Sequence, residues 1–132
     1  MRKLFIDSRL GLDKVRIAYV GDFINFCCSY IPVDCDFEVH LCADRESSGI
    51  GTTGVYMVGD HVVKVYCKSR ALPDVMRSVA HEITHMRQDE TDLINGPIQD
   101  IGGFHEDQAN AVAGAALKAY AKDRGDKGFY DL

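Results

Sequence analysis

The chain lacks a CxxC pair. Its five cysteines, Cys27, Cys28, Cys35, Cys42 and Cys67, are an odd number without ribbon spacing. Neither a zinc ribbon nor a disulfide framework is expected, and reduced, mostly buried thiols in a cytoplasmic protein are. A long apolar run is missing too. The first hydrophobic stretch, Leu4-Phe5-Ile6, is cut by Asp7, Ser8 and Arg9, so no signal peptide is expected, and no stretch approaches the length of a membrane span. There is no basic excess. A formal charge of -5 argues against a nucleic-acid surface, which normally shows as a basic stripe. Arg2, Lys3, Arg9, Lys14 and Arg16 gather near the start, where a solvated face accounts for them. Repeats, linkers and low-complexity tracts are also absent.

What is present suits one compact core. At 132 residues and 46% hydrophobic, the chain is long enough for one domain and short for two, so a single domain over residues 1–132 is expected. Charge is uneven: Gln88 to Asp107 holds Asp89, Glu90, Asp92, Asp100, Glu106 and Asp107 and no Lys or Arg. Such a run raises cation affinity and favours a basic substrate if it borders a site, and is otherwise a solvated loop.

Residues 1–11 form a short apolar patch of ambiguous type ending at Gly11. From Leu12 to Ile31, Lys14, Asp22, Asn25 and Ser29 fall near one line at helical spacing and leave a wide apolar face. A strand through Val15, Ile17 and Tyr19 is the competing reading, and Pro32 ends either one. Asp36 to Ala43 alternates as a half-buried strand does, with Phe37, Val39 and Leu41 on one side. Ser47 to Gly54 is loop chemistry. Val55 to Val58 and His61 to Cys67 read as strands joined by a two-residue hairpin at Gly59-Asp60.

Pro73 and Asp74 mark the start of a helix reaching Gln88, with Val75, Met76, Val79, Ala80, Ile83 and Met86 on its buried faces. Breaks follow at Asn95-Gly96-Pro97 and Gly102-Gly103. A last, Ala-rich helix runs from Phe104 to about Lys122, with side chains small enough to lie close against the preceding helix. The tail from Gly125 is polar and expected to fray.

Inside the Asp74–Gln88 helix lies His81-Glu82-Ile83-Thr84-His85, an HExxH sequence. Residues four apart share a helix face with Cβ atoms about 5 to 6 Å apart, so two imidazoles at this spacing can close on one tetrahedral ion. Glu82 then sits beside the metal without binding it, where a general base is needed. The bland alternative is two solvent-facing histidines on an amphipathic helix. A hydrolytic zinc site also needs a third protein ligand. Metzincins supply a His six residues after the second His and a Gly between them; Thr91 and Gln88 stand there, which excludes that class.

The last helix offers Glu106-Asp107-Gln108-Ala109-Asn110, starting 21 positions after His85. This resembles the second gluzincin motif, a metal-binding Glu followed by a small residue and Asp or Asn. HExxH with ExxAN is similar to minimal zincins of the ImmA/IrrE kind and to small peptidase-like proteins of tailed phages. The latter share a GTTGVY-like strand, an ALPDxxRSxAHExxH helix and an ExxAN helix, here Gly51 to Tyr56, Ala71 to His85 and Glu106 to Asn110. The likeness covers roughly residues 20–122.

The resemblance implies zinc held by His81, His85 and Glu106, Glu82 as base, and Asn110 hydrogen-bonded to His81. The ImmA/IrrE pattern usually carries a second acid where this chain has Gln108. His105 is the alternative third ligand, as in zincins with three histidines; Glu106 is preferred because Asn110 lies one turn beyond it on the same face.

The implied activity is zinc-dependent hydrolysis of a protein or peptide, with no nucleic-acid or membrane partner. Tyr56, His61, His105 and Tyr120 are candidates to stabilise the oxyanion, and Gly54 to Val58 is a candidate edge strand for an extended peptide. The alternative is a non-catalytic zincin-like module that keeps zinc and acts through a protein partner. The expected fold is α+β and zincin-like: an N-terminal helix, a sheet of three or more strands whose edge borders the cleft, the HExxH helix and a following Glu-bearing helix.

Overall fold

The computed structural model describes residues 2–91 and 103–132. Among them the architecture is α+β, four helices and a four-stranded sheet. In chain order these are β1 (Arg2–Ile6), α1 (Lys14–Tyr30), β2 (Phe37–Cys42), α2 (Arg45–Ser48), β3 (Gly54–Met57), β4 (Val62–Tyr66), α3 (Leu72–Glu90) and α4 (Phe104–Arg124).

The sheet order is β1-β2-β4-β3, with β1, β2 and β4 parallel and β3 antiparallel at the edge. The ambiguous start of the chain is a strand, so a strand precedes the first helix. Leu4 and Ile6 pair with Val39 and Leu41, partners more than thirty residues away, which no local pattern can show. The helical reading of the next segment holds over Lys14–Tyr30, and Val20, Phe23, Ile24, Cys27 and Cys28 are buried on it. Its N-terminus is capped by the Asp13 carboxylate, which accepts from the Arg16 N–H, one of the unpaired first-turn donors. On β2, Phe37, Val39 and Leu41 are buried as the alternation requires.

Two turns differ from expectation. Four residues, 58–61, connect β3 to β4 instead of two, with Gly59 and His61 both at positive φ. The stretch before β3 contains the short α2, ended by Gly49 at φ 73°, a conformation that glycine adopts at no steric cost.

At the centre α3 touches β3, β4, α1 and α4. Pro73 sits in its first turn and Asp74 supplies the acidic charge there. All six apolar residues expected on its inner faces are buried, each removal of such a side chain from water contributing about 1.5 to 3 kcal/mol for the larger ones. Ala109, Ala113 and Ala116 of α4 are buried, and their small size lets α4 approach α3 closely.

The tail does not fray. Gly128–Asp131 forms a 3-10 turn, and Phe129 is buried with its ring 5.7 Å from Tyr19 and 5.5 Å from Tyr120. One aromatic anchor outweighs the polarity of its neighbours. All five cysteines are free thiols, four of them buried. No helix among the described residues is long and apolar enough to cross a membrane. The breaks at Asn95-Gly96-Pro97 and Gly102, and the acids Asp92 and Asp100, lie outside the described residues.

Candidate metal centre

The two histidines of the motif stand one turn apart on α3, with ring centroids 4.8 Å apart and ring planes at 82°. Glu106 lies in the first turn of α4 and spans both. One carboxylate oxygen is 2.9 Å from His81 Nε2 and the other 3.0 Å from His85 Nε2. One ligand atom from each of the three residues lies within 4.8 Å of the others, and this group can hold a metal ion. His85 is almost fully buried, and His81 and Glu106 are partly exposed towards a cavity of about 750 Å³.

The hydrogen bonds around Gln88 determine what His85 presents to this point. Gln88, buried to 1% exposure, directs its Nε2 to the His105 backbone carbonyl at 3.0 Å and to Gln108 Oε1 at 2.8 Å. A backbone carbonyl can only accept, so the amide nitrogen must be on that side and the amide oxygen on the other. That oxygen stands 2.8 Å from His85 Nδ1. His85 therefore donates from Nδ1, and in its neutral form it turns an unprotonated Nε2 towards Glu106. A lone pair then faces a carboxylate oxygen at 3.0 Å, two acceptors in contact. A cation shared between them resolves this, so the donor set fits a metal with nitrogen and oxygen ligands.

His81 is oriented from α4. Asn110 is hydrogen-bonded to it in the sense that raises its basicity, as does the charge of Glu106, but burial dominates and lowers the imidazole pKa below 6.5. Burial thus favours the neutral ring that a metal requires.

Glu82 faces the same point from beneath β3. Its Oε2 is 3.9 Å from His81 Nε2, and burial, with a smaller contribution from the charge of Glu106, pushes its carboxyl up to about 8. The Tyr56 backbone N–H donates to it and opposes that rise. The fit is close enough to favour glycine at position 54: a Cβ there would stand 3.0 Å from Glu82 Oε2 and 3.2 Å from the Lys64 carbonyl oxygen, so its neighbours would have to give way.

The cavity is lined by α3, the first turns of α4 and the stretch Gly51–Tyr56, so the edge strand borders it as expected. Of the four candidate oxyanion stabilisers, only Tyr56 lines it. The Tyr56 hydroxyl is donated to Asp89, which also accepts the Gly59 N–H at 3.1 Å. Tyr120 donates to Asp22 at 2.7 Å and packs on Phe23 and Phe26. His61 lies in the β3–β4 connection beside a separate hollow with Lys3 and Glu38. His105 contributes its carbonyl to Gln88 and sets its ring edge-on to Phe104 at 5.6 Å. The group that can hold a metal contains Glu106 and not His105.

No family model, no curated protein and no solved structure matches the chain.

The residue missed by sequence reasoning is Gln88. It entered as the end of the motif helix and as a departure from the metzincin pattern and was given no role at the site, although its position three residues after His85 puts it on the same helix face. Two described acids of the run are engaged in the fold. Asp89 holds Tyr56 and Gly59, and Glu90 accepts the Cys35 N–H at 2.9 Å.

Proposed function

We propose that this chain is a zinc-dependent peptidase with a gluzincin-type, zincin-like site, in which His81, His85 and Glu106 hold the metal and Glu82 is the general base. The observation that carries the reading is the meeting of these three ligands with a buried carboxyl at the foot of an open cavity. Zinc held by two His and one Glu supplies Lewis acidity towards a carbonyl oxygen and lowers the pKa of water.

The remaining work falls to the chain. Glu82 accepts a proton from the attacking water on a carboxylate oxygen and passes it to the leaving amine. Burial, with the charge of Glu106, raises the pKa of this carboxyl in the metal-free chain, which favours acceptance of a proton. Gln88 and Asn110 keep the two imidazoles in the tautomer that turns a lone pair to the metal. The edge strand offers backbone groups along the cavity, and an extended peptide can add to it. The reading takes a cytoplasmic protein or peptide as substrate, and neither nucleic acid nor membrane as partner.

The test is metal analysis with cleavage profiling of a proteome-derived peptide mixture. Wild type is expected to cleave, and Glu82→Gln to keep its zinc and lose turnover by about 100-fold or more. Zinc retained by both proteins with cleavage by neither overturns the peptidase reading and favours a zincin-like module that holds a partner.

A further inference from the structure

The cavity extends beyond the metal ligands to a cation. Arg77 lies four residues before His81 on the same face of α3, and its side chain lines the cavity. Its Nη2 reaches over α4 to 3.8 Å from where a Cβ on Gly114 would stand. The tip thus lies above a residue with no side chain to bond it. Among the described residues no hydrogen bond or ion pair engages Arg77, and Asp74, three residues earlier, makes none with it.

The neighbouring cations are committed. Arg70 binds the Tyr66 carbonyl at 2.7 Å and the Ser78 hydroxyl at 2.9 Å, and Lys64 reaches the Ser48 carbonyl. Arg77 is therefore the cation that the fold leaves facing the cavity among the described residues. Two acids that could have made the cleft suit a basic peptide, Asp89 and Glu90, are tied to Tyr56, Gly59 and Cys35.

We infer that Arg77 is a specificity-determining residue: it receives a carboxylate of the substrate, from an acidic side chain or a free C-terminus, while the neighbouring peptide lies along β3. This rests on the peptidase reading above. A guanidinium presents a planar fork of N–H donors that matches a carboxylate with two parallel bonds. Arg77 is roughly 6 Å from His81 along α3, and Gly114 roughly 12 Å from Glu106 along α4. At about 3.3 Å per residue of extended chain, the carboxylate lies roughly two to four residues from the bond that is cut.

The experiment uses synthetic hexapeptides with randomised positions, prepared as free acids and as C-terminal amides, and reads products by mass spectrometry. Zinc-loaded wild type is expected to favour Asp or Glu at one fixed position, or the free-acid pool over the amide pool, by about tenfold or more. The two patterns separate side chain from terminus. Arg77→Ala loses the preference, and Arg77→Glu shifts it to Lys or Arg, with zinc content unchanged in both. Equal profiles for wild type and Arg77→Glu overturn the inference.

If wild type cuts nothing that Glu82→Gln leaves intact, the peptidase reading has failed. Arg77 is then judged by the peptides retained on zinc-loaded Glu82→Gln with and without Arg77→Glu. Acidic enrichment that disappears on charge reversal supports the carboxylate site, and equal retention overturns it.

Discussion

The Gln88 side-chain oxygen accepts from His85 Nδ1 at 2.8 Å, and the direction of that bond is imposed by the His105 carbonyl on the other side of the same amide. Gln88 thereby couples the first turn of α4, which carries Glu106, to the imidazole it must meet. Gln88→Leu keeps the volume and removes every bond. It is expected to weaken zinc binding roughly 10 to 100-fold, the range found when partners of ligating histidines are removed. It should also cost about 1 to 3 kcal/mol of stability for the buried groups left unpaired. Chelator competition and denaturant unfolding measure the two effects, and zinc affinity equal to wild type contradicts the orienting role.

Asn110 is expected to act on His81 as Gln88 does on His85. Asn110→Ala should weaken zinc binding by roughly 10 to 100-fold with the fold intact, and Asn110→Asp should restore it, because a carboxylate accepts the same bond. If the alanine variant binds zinc as wild type does, Asn110 merely packs or caps on an Ala-rich helix.

Gly54 permits the approach of β3 to Glu82. A methyl group there comes within 3.0 Å of the Glu82 carboxylate and 3.2 Å of the Lys64 carbonyl oxygen, and that backbone belongs to the neighbouring strand of the ladder. Gly54→Ala should cost about 1 to 3 kcal/mol and reduce turnover by displacing Glu82, with zinc content unchanged. Thermal unfolding and assays with a cleavable peptide check this; a variant as stable and active as wild type contradicts the packing described.

The buried carboxyl of Glu82 makes a prediction about pH in chelator-treated protein. Its pKa lies at about 8 in the fold against 4.5 ordinarily, so between those values the unfolded chain gives up a proton that the folded one keeps. Ionisation then favours unfolding, and stability falls as pH rises through that window. The melting temperature of Glu82→Gln minus that of wild type should be flat below about pH 4.5, grow up to about pH 8 and then level off, the full effect being on the order of 5 kcal/mol. A difference independent of pH contradicts the burial of an ionisable group there.

How much of this is legible in the sequence follows from how local each signal is. The motif helix is readable because a 3.6-residue period is written into adjacent positions, and His81, Glu82 and His85 come with it. The pairing with Glu106 is readable through resemblance, since α4 must first be brought against α3. The bond network of Gln88 is not, because it depends on the arrival of residues 105 to 108. Which of the oxyanion candidates borders the cavity is hidden for a related reason. A tyrosine in a strand or helix shows its presence but not its partner, and Asp89 and Asp22 claim the hydroxyls of Tyr56 and Tyr120. β1 and the C-terminal turn are likewise held by distant contacts, with β2 and with Tyr19 and Tyr120.

The most direct measurement of the central claim is zinc content after dialysis, by plasma mass spectrometry, for wild type, Glu106→Ala and His105→Ala. A centre built from His81, His85 and Glu106 predicts about one zinc per chain in wild type and in His105→Ala, and loss of zinc in Glu106→Ala. Zinc kept by Glu106→Ala and lost by His105→Ala, or no zinc in wild type, would contradict it.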